Sequence, residues 1–349
     1  ETVPVTLTGS FGGSNILTIQ ISNSAGVFDG STTNVGAVVT NANGEQFVEI
    51  HVDPGMVFSS LYLLRASTSS PVINTLGVAI NINCTTRDYF WVGGSGNWSD
   101  FGSHWATTSG GGTFHTEAPN SNDDVYFDSN SFPSGGSVNI DQESFCNDMT
   151  WTDGSTSPSL GGNYRLNVRG KYVLAPGVQR NHYETRFNSD KMNLFIDLAG
   201  SSYESSYFNF SGGGEWSLQS ELNLNYLYFL GGQMNTNGFN LKVNQLLYGD
   251  GNAANVLNTG SGDVTVRSLS SNGMLITGTS QWYLNAPTGG SSYELGRDLN
   301  LTNVVIEGGH YNLFGDNTFT NLVLEAGSTI TIEDGFSLTV NNDLTAVGS

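Results

Sequence analysis

Positive charge is scarce in this chain. Its 349 residues carry 11 Lys and Arg against 31 Asp and Glu, a formal net charge of −20. A surface of that sign repels phosphate backbones and anionic lipid and attracts cations, so no nucleic-acid partner is expected. Long hydrophobic runs are missing too. Runs such as residues 226–230 (YLYFL) fall far short of the ~20 residues that a membrane-spanning helix needs, so no direct membrane insertion is expected. Charge of either sign is thin at 12%, about half the usual share, and Ser, Thr, Asn and Gly fill the polar positions instead. With aromatics at 11%, this is the composition of uncharged β-structure with many turns, not of disorder.

Cysteine is nearly absent. Cys84 and Cys146 could form one disulfide in an oxidising compartment; the alternative is two separate buried thiols. Catalytic and nucleotide signatures are lacking: no G-x-S-x-G, G-x-x-x-x-G-K-[ST], H-E-x-x-H or C-x-x-C occurs, and His51, His104, His115, His182 and His310 are scattered singly. No amphipathic helix pattern stands out past the midpoint.

What is present is a repeat. Residues 222–232 (LNLNYLYFLGG) recur as 299–309 (LNLTNVVIEGG), and 302–309 (TNVVIEGG) recur as 320–327 (TNLVLEAG). Residues 237–244 (NGFNLKVN) recur as 334–341 (DGFSLTVN). These offsets share a step of about 19 residues, the signature of a stacked solenoid. Within each unit Phe239, Leu241 and Val243 alternate with polar neighbours, as do Phe336, Leu338 and Val340. Period-two alternation places the apolar members on one face of a strand. A lone coil of that length buries too little to hold itself together, so coils must bond to the coils above and below. A parallel β-helix of about eleven coils is expected over residues 138–349. A leucine-rich horseshoe competes, but its L-x-x-L-x-L-x-x-N signature is missing.

Residues 1–84 read differently. Short alternating runs at Leu17, Ile19, Ile21, at Val48, Ile50, Val52 and at Val78, Ile80, Ile82 are separated by Gly, Asn and Pro turns. They predict an immunoglobulin-like β-sandwich. Between the two, residues 85–137 form an aromatic-rich capping or transition segment, with Trp91, Trp98 and Trp105 at intervals of seven. Large rings close the open end of a solenoid well; an exposed aromatic stack also grips sugar rings. The fold class is therefore all-β, and the chain reads as a segment of something longer.

Two clusters carry candidate chemistry. Of the eleven basic residues, six fall between 165 and 191. On one strand His182, Glu184 and Arg186 would share a face, as the acid/base groups and anion-binding guanidinium of a polysaccharide-degrading β-helix enzyme do. A solvated charged strand uses the same letters. Asp123, Asp124 and Asp128, among neighbouring Asn, are hard oxygen ligands of the type calcium takes; turn capping explains them without a metal. No other cofactor is expected.

Residues 90–112 (FWVGGSGNWSDFGSHWATTSGG), 119–132 (PNSNDDVYFDSNSF) and 138–151 (VNIDQESFCNDMTW) resemble modules of very large surface proteins of Bacteroidota. The similarity is to SprB-like gliding-motility adhesins exported by the type IX secretion system. The opening run 12–28 (GGSNILTIQISNSAGVF) is similar to their sandwich modules. That resemblance implies an extracellular adhesin on the outer cell surface, not an enzyme. Its partners would be surface polysaccharide or another substratum, an outer-membrane anchoring protein, and neighbouring modules of one long chain.

Overall fold

A computed structural model describes residues 2–52, 61–80, 86–199, 201–203, 207–252, 254–272, 274–289 and 292–347. The chain divides into two compact units, Glu1–Thr86 and Arg87–Ser349. Both are built from strands, and among the described residues the one α-helix is Phe101–His104.

In the first unit Ile16–Ile21 pairs antiparallel with Thr33–Val39 and with Leu63–Ser69. The alternation of ILTIQI sends Leu17, Ile19 and Ile21 into the core. Thr2–Leu7 pairs antiparallel with Gly44–Glu49 and adds Leu7 and Val48 to the same core. The described strands divide two and five between the sheets, whereas an immunoglobulin constant-type sandwich divides four and three. A two-sheet antiparallel β unit is what these strands show.

The second unit is a parallel β-solenoid of about ten turns. Each early coil contributes one strand to each of three sheets: Asp124–Phe127, Ser137–Ile140 and Ser144–Cys146 are followed by Met149–Trp151, Ser159–Gly162 and Arg165–Val168, paired in register one coil on. Inward and outward positions alternate, so the burial of Val125, Phe127, Val138, Ile140 and Cys146 follows from period two. The step varies. Asn321 bonds to Asn303, 18 residues back, while Asp263 bonds to Asn240, 23 residues back, because loop lengths at the corners differ.

Parallel pairing begins before residue 138. Asp88–Trp91 already pairs in parallel with Asp124–Phe127, so much of the segment expected as a separate cap is the first coil. Trp105–Ala106 then turns antiparallel against Asp88–Trp91 and ends the ten-stranded sheet. Trp91, Trp98 and Trp105 are fully buried there, with Trp105 edge-on to both others at 4.9 Å.

The cross-section changes along the axis. The five-stranded sheet of the solenoid ends at Ser202–Tyr203. From Leu222–Phe229 onward its place is taken by longer strands, which break register between Leu224 and Tyr226 and again between Val243 and Leu246. A bulge of this type bends one strand around the corner that two short strands had made. The thirteen-stranded sheet runs from Ser144–Cys146, in the second coil, to Leu338–Ala346.

Candidate functional site

The strand Glu184–Phe187 lies in that thirteen-stranded sheet, with Thr185 and Phe187 pointing into the core. Glu184 and Arg186 therefore share the outward face, as the sequence suggests. His182 does not join them. It precedes the strand, is buried to 1% exposure, and places Nε2 2.7 Å from Thr185 Oγ1. Burial, reinforced by the charge of Arg180, pushes its pKa down to about 3 from 6.5. Desolvation disfavours the charged imidazole, so His182 is a neutral core group and the expected three-residue face is reduced to two.

Glu184 is held from three sides. Arg165 Nε stands 3.1 Å from Oε2, Arg186 Nη2 stands 3.3 Å from Oε1, and Asn209 Nδ2 donates to Oε1 at 3.1 Å. Arg165 also pairs with Glu143 at 3.3 Å. Partial burial works against the Arg165 charge, yet Glu184 and Glu143 outweigh it and hold its pKa above the ordinary value. The carboxylate that was the candidate acid or base is thus the centre of an ion-pair network.

Strand register extends this cluster along the solenoid. Arg165, Glu184, Tyr207, Tyr226 and Leu246 form one row; Asn167, Arg186, Asn209, Tyr228 and Tyr248 form the next. Tyr207 stacks on Tyr226 at 4.4 Å and 3°, Tyr228 lies parallel beside Tyr226 at 6.3 Å and 6°, and Tyr183 leans on Tyr207 at 5.5 Å. None of the five tyrosines is fully buried, and Tyr183 is 51% exposed. Partial desolvation and the neighbouring phenols push the Tyr207 and Tyr228 hydroxyls above their ordinary pKa. This ridge was not among the sites expected from the sequence. Its signal was there: Tyr207, Tyr226 and Tyr248 recur near the coil step, each inside a strand-sized apolar run.

The expected calcium ligands diverge. Asp123 is fully buried and takes a bidentate pair from Arg87, whose Nε and Nη2 donate at 3.0 and 2.9 Å. Asp124 accepts from Asn147 Nδ2 and the Asp148 N–H, and its pKa is raised by burial. Asp128 accepts from Ser109 and from the Asn130 N–H in a turn. Alternation turns neighbouring side chains to opposite faces, and among the described residues no group of three or more His, Cys, Asp or Glu converges to hold a metal ion. Cys146 is a free, fully buried thiol of the solenoid core, its pKa raised by burial; Cys84, the other member of the candidate disulfide, lies outside the described residues. The three tryptophans have no exposed face to offer a sugar.

A cavity of about 500 Å³ opens near where the five-stranded sheet of the solenoid ends, walled by Arg180, Leu198, Gln219, Ser220 and Asn223 among others. Arg180 donates to the Asn223 carbonyl at 3.3 Å and lies 5.3 Å from the Phe208 ring, so its guanidinium is part of the wall.

The outward strip is thus a surface on which charged, amide and aromatic groups converge across several coils. Comparisons of the chain with protein-family models, with curated proteins and with solved structures give no match.

Proposed function

We propose that this chain is a rigid, extended segment of a large extracellular surface protein, acting in display and attachment to a substratum. A β-solenoid fits a rigid extended surface protein. The observation that carries the proposal is the thirteen-stranded sheet. Its main path crosses ten strand-to-strand steps without interruption, about 48 Å at the usual spacing, and each interior strand is bonded on both edges. Such a ladder transmits force through many parallel hydrogen bonds, and its outward face presents many weak contacts whose sum is avidity.

The motif resemblance gives this reading its setting. A SprB-like adhesin of the type IX-secreted, gliding-motility kind would sit on the outer cell surface of a member of the Bacteroidota. The N-terminal β unit would be one of several immunoglobulin-like modules in series, and an outer-membrane protein would anchor the whole. No chemistry is assigned in this reading, because His182 is buried and Glu184 is spent on Arg165, Arg186 and Asn209.

The test is attachment under flow. Beads coated with the full chain are expected to resist detachment from a polysaccharide-coated surface at shear that strips albumin-coated beads. Equal detachment of the two would sink the adhesive reading. In the bacterium that carries the gene, removal of the coding segment is expected to reduce surface attachment.

A further inference from the structure

We propose that the outward strip of the thirteen-stranded sheet, from the coil of Glu143 to that of Tyr248, binds a neutral polysaccharide chain lying along the solenoid axis. The proposal rests on the adhesive reading and names its ligand class and its site.

Shape comes first. The two outward rows cross six coils, from Ser144–Cys146 to Leu241–Gly249, about 24 Å at the spacing between strands. The surface is open and long and runs in one direction. That matches a polymer with a repeating unit, not a small molecule, which takes a deep concave pocket.

Chemistry comes second. Tyr207 and Tyr226, packed at 4.4 Å and 3°, close their facing sides on each other. Tyr228 extends the pair sideways at 6.3 Å, and Tyr183 presents a half-exposed ring at the end of the stack. The result is a ridge of apolar ring edges carrying phenolic hydroxyls. Pyranose rings have the same split, with C–H faces and hydroxyl rims, and aromatic residues with a polar handle suit such amphipathic surfaces. The rings are immobilised by their own stacking, so little side-chain entropy is lost on binding. Arg186, part-exposed and oriented by the buried Glu184, flanks the ridge at one end, and the part-exposed Asn244, bonded to Asn223 at 3.2 Å, lies at the other. The polar groups of Arg186 and Asn244 fit sugar hydroxyls.

Charge decides the class of polysaccharide. The strip holds two arginines, and each is paired with a glutamate: Arg165 with Glu143 and Glu184, Arg186 with Glu184. Within the two rows the arginine charge is matched by glutamate; Lys242 stands exposed beside Asn223 in the last coil, but the whole chain at −20 repels a polyanion. The surface therefore complements an uncharged glycan.

Affinity electrophoresis of the full chain tests this, in gels cast with hydroxyethyl cellulose, laminarin or dextran, and with polygalacturonate for comparison. At least one neutral polymer is expected to retard the chain, and polygalacturonate is not. The double variant Tyr207→Ala/Tyr226→Ala is expected to weaken retardation about tenfold, with Tyr126→Ala on the ten-stranded sheet leaving it unchanged. Tryptophan fluorescence verifies the fold of each variant, and Tyr207→Phe/Tyr226→Phe, which keeps the stacked rings, serves if the alanine pair does not fold; its loss of the hydroxyls is expected to weaken retardation as well. Retardation untouched by the folded tyrosine variants overturns the proposal, as does retardation by polygalacturonate alone or by no polymer. In those cases, coated beads that still hold to a surface leave the adhesive reading standing; beads that do not hold remove it too.

Discussion

Arg87 reaches across 36 residues to Asp123 and grips both carboxylate oxygens, at 3.0 and 2.9 Å, where the first coil of the solenoid closes on the second. Asp123 also accepts from the backbone N–H groups of Arg87 and Asn120 at 3.2 and 3.0 Å. A buried carboxylate so engaged is a fastener, and it has no lone pair to spare for a cation.

Asp123→Ala leaves two part-buried N–H groups without their acceptor and leaves the Arg87 guanidinium only its bond to Glu117. The expected cost is about 1.5–3 kcal/mol. Denaturant unfolding followed by tryptophan fluorescence measures it in the solenoid alone, because all six tryptophans, Trp91 to Trp282, lie in that unit. Millimolar calcium or a chelator is expected to leave the wild-type midpoint where it is; a calcium-dependent rise would show that Asp123 abandons Arg87 for the ion.

Acid is expected to weaken the solenoid through His182. Its folded pKa of about 3 lies below the 6.5 of the free side chain, so between those values the unfolded chain binds a proton that the folded chain refuses. Stability is intact above about pH 6.5 and falls as pH drops through that window, by about 1.4 kcal/mol per unit. Between pH 7 and 5.5, His182→Gln should lose on the order of 1 kcal/mol less than the wild type. Parallel loss in both proteins would place the acid sensitivity elsewhere.

Gly162 has φ +119°, and a Cβ there would lie 2.4 Å from the Ile140 carbonyl oxygen on the paired strand. Both the backbone conformation and the close approach need glycine. Gly162→Ala should cost about 1–3 kcal/mol, while Gly102→Ala, where nothing lies within 4 Å of the added carbon, should be close to neutral. The same fluorescence titration separates the two.

Trp105 is fully buried, donates Nε1–H to the Trp98 carbonyl at 2.8 Å, and meets the edges of Trp91 and Trp98. Trp105→Ala is expected to cost about 3–5 kcal/mol and to loosen the first coil before the rest. Hydrogen exchange at Asp88–Trp91 and Asp124–Phe127 reads that order; uniform loss of protection along the solenoid would contradict it.

Strand alternation was legible because side chains in a strand obey period two wherever they sit. Leu241 and Val243 are buried where the pattern puts them, and the 18-residue match of Asn303 with Asn321 is the true register. The longer matches do not mark register, and the solenoid has about ten turns where about eleven coils were expected. Leu224 reaches Ile306 in four steps through Val243, Val266 and Leu284, whereas the match of 222–232 with 299–309 lays it on Leu301. Coils of unequal loop length drift against an average step.

The candidate site shows the same division. Glu184 and Arg186 share a face because they stand two apart in one strand. His182 stands two residues before Glu184, but it lies at a corner where the chain turns, and there the alternation fails and the ring goes inward.

Composition and local pattern alone determined that this chain is β-structure stacked in short coils, with an acidic surface and a separate opening unit. These follow from forces acting between near neighbours: alternation, turn chemistry and net charge. Only the tertiary structure decided that Arg87 meets Asp123, that Tyr207 covers Tyr226 and that the tryptophans are core. Each of those pairs joins residues of different coils or of the turns between strands, and which residues face one another is set by corner loops whose lengths no local pattern encodes.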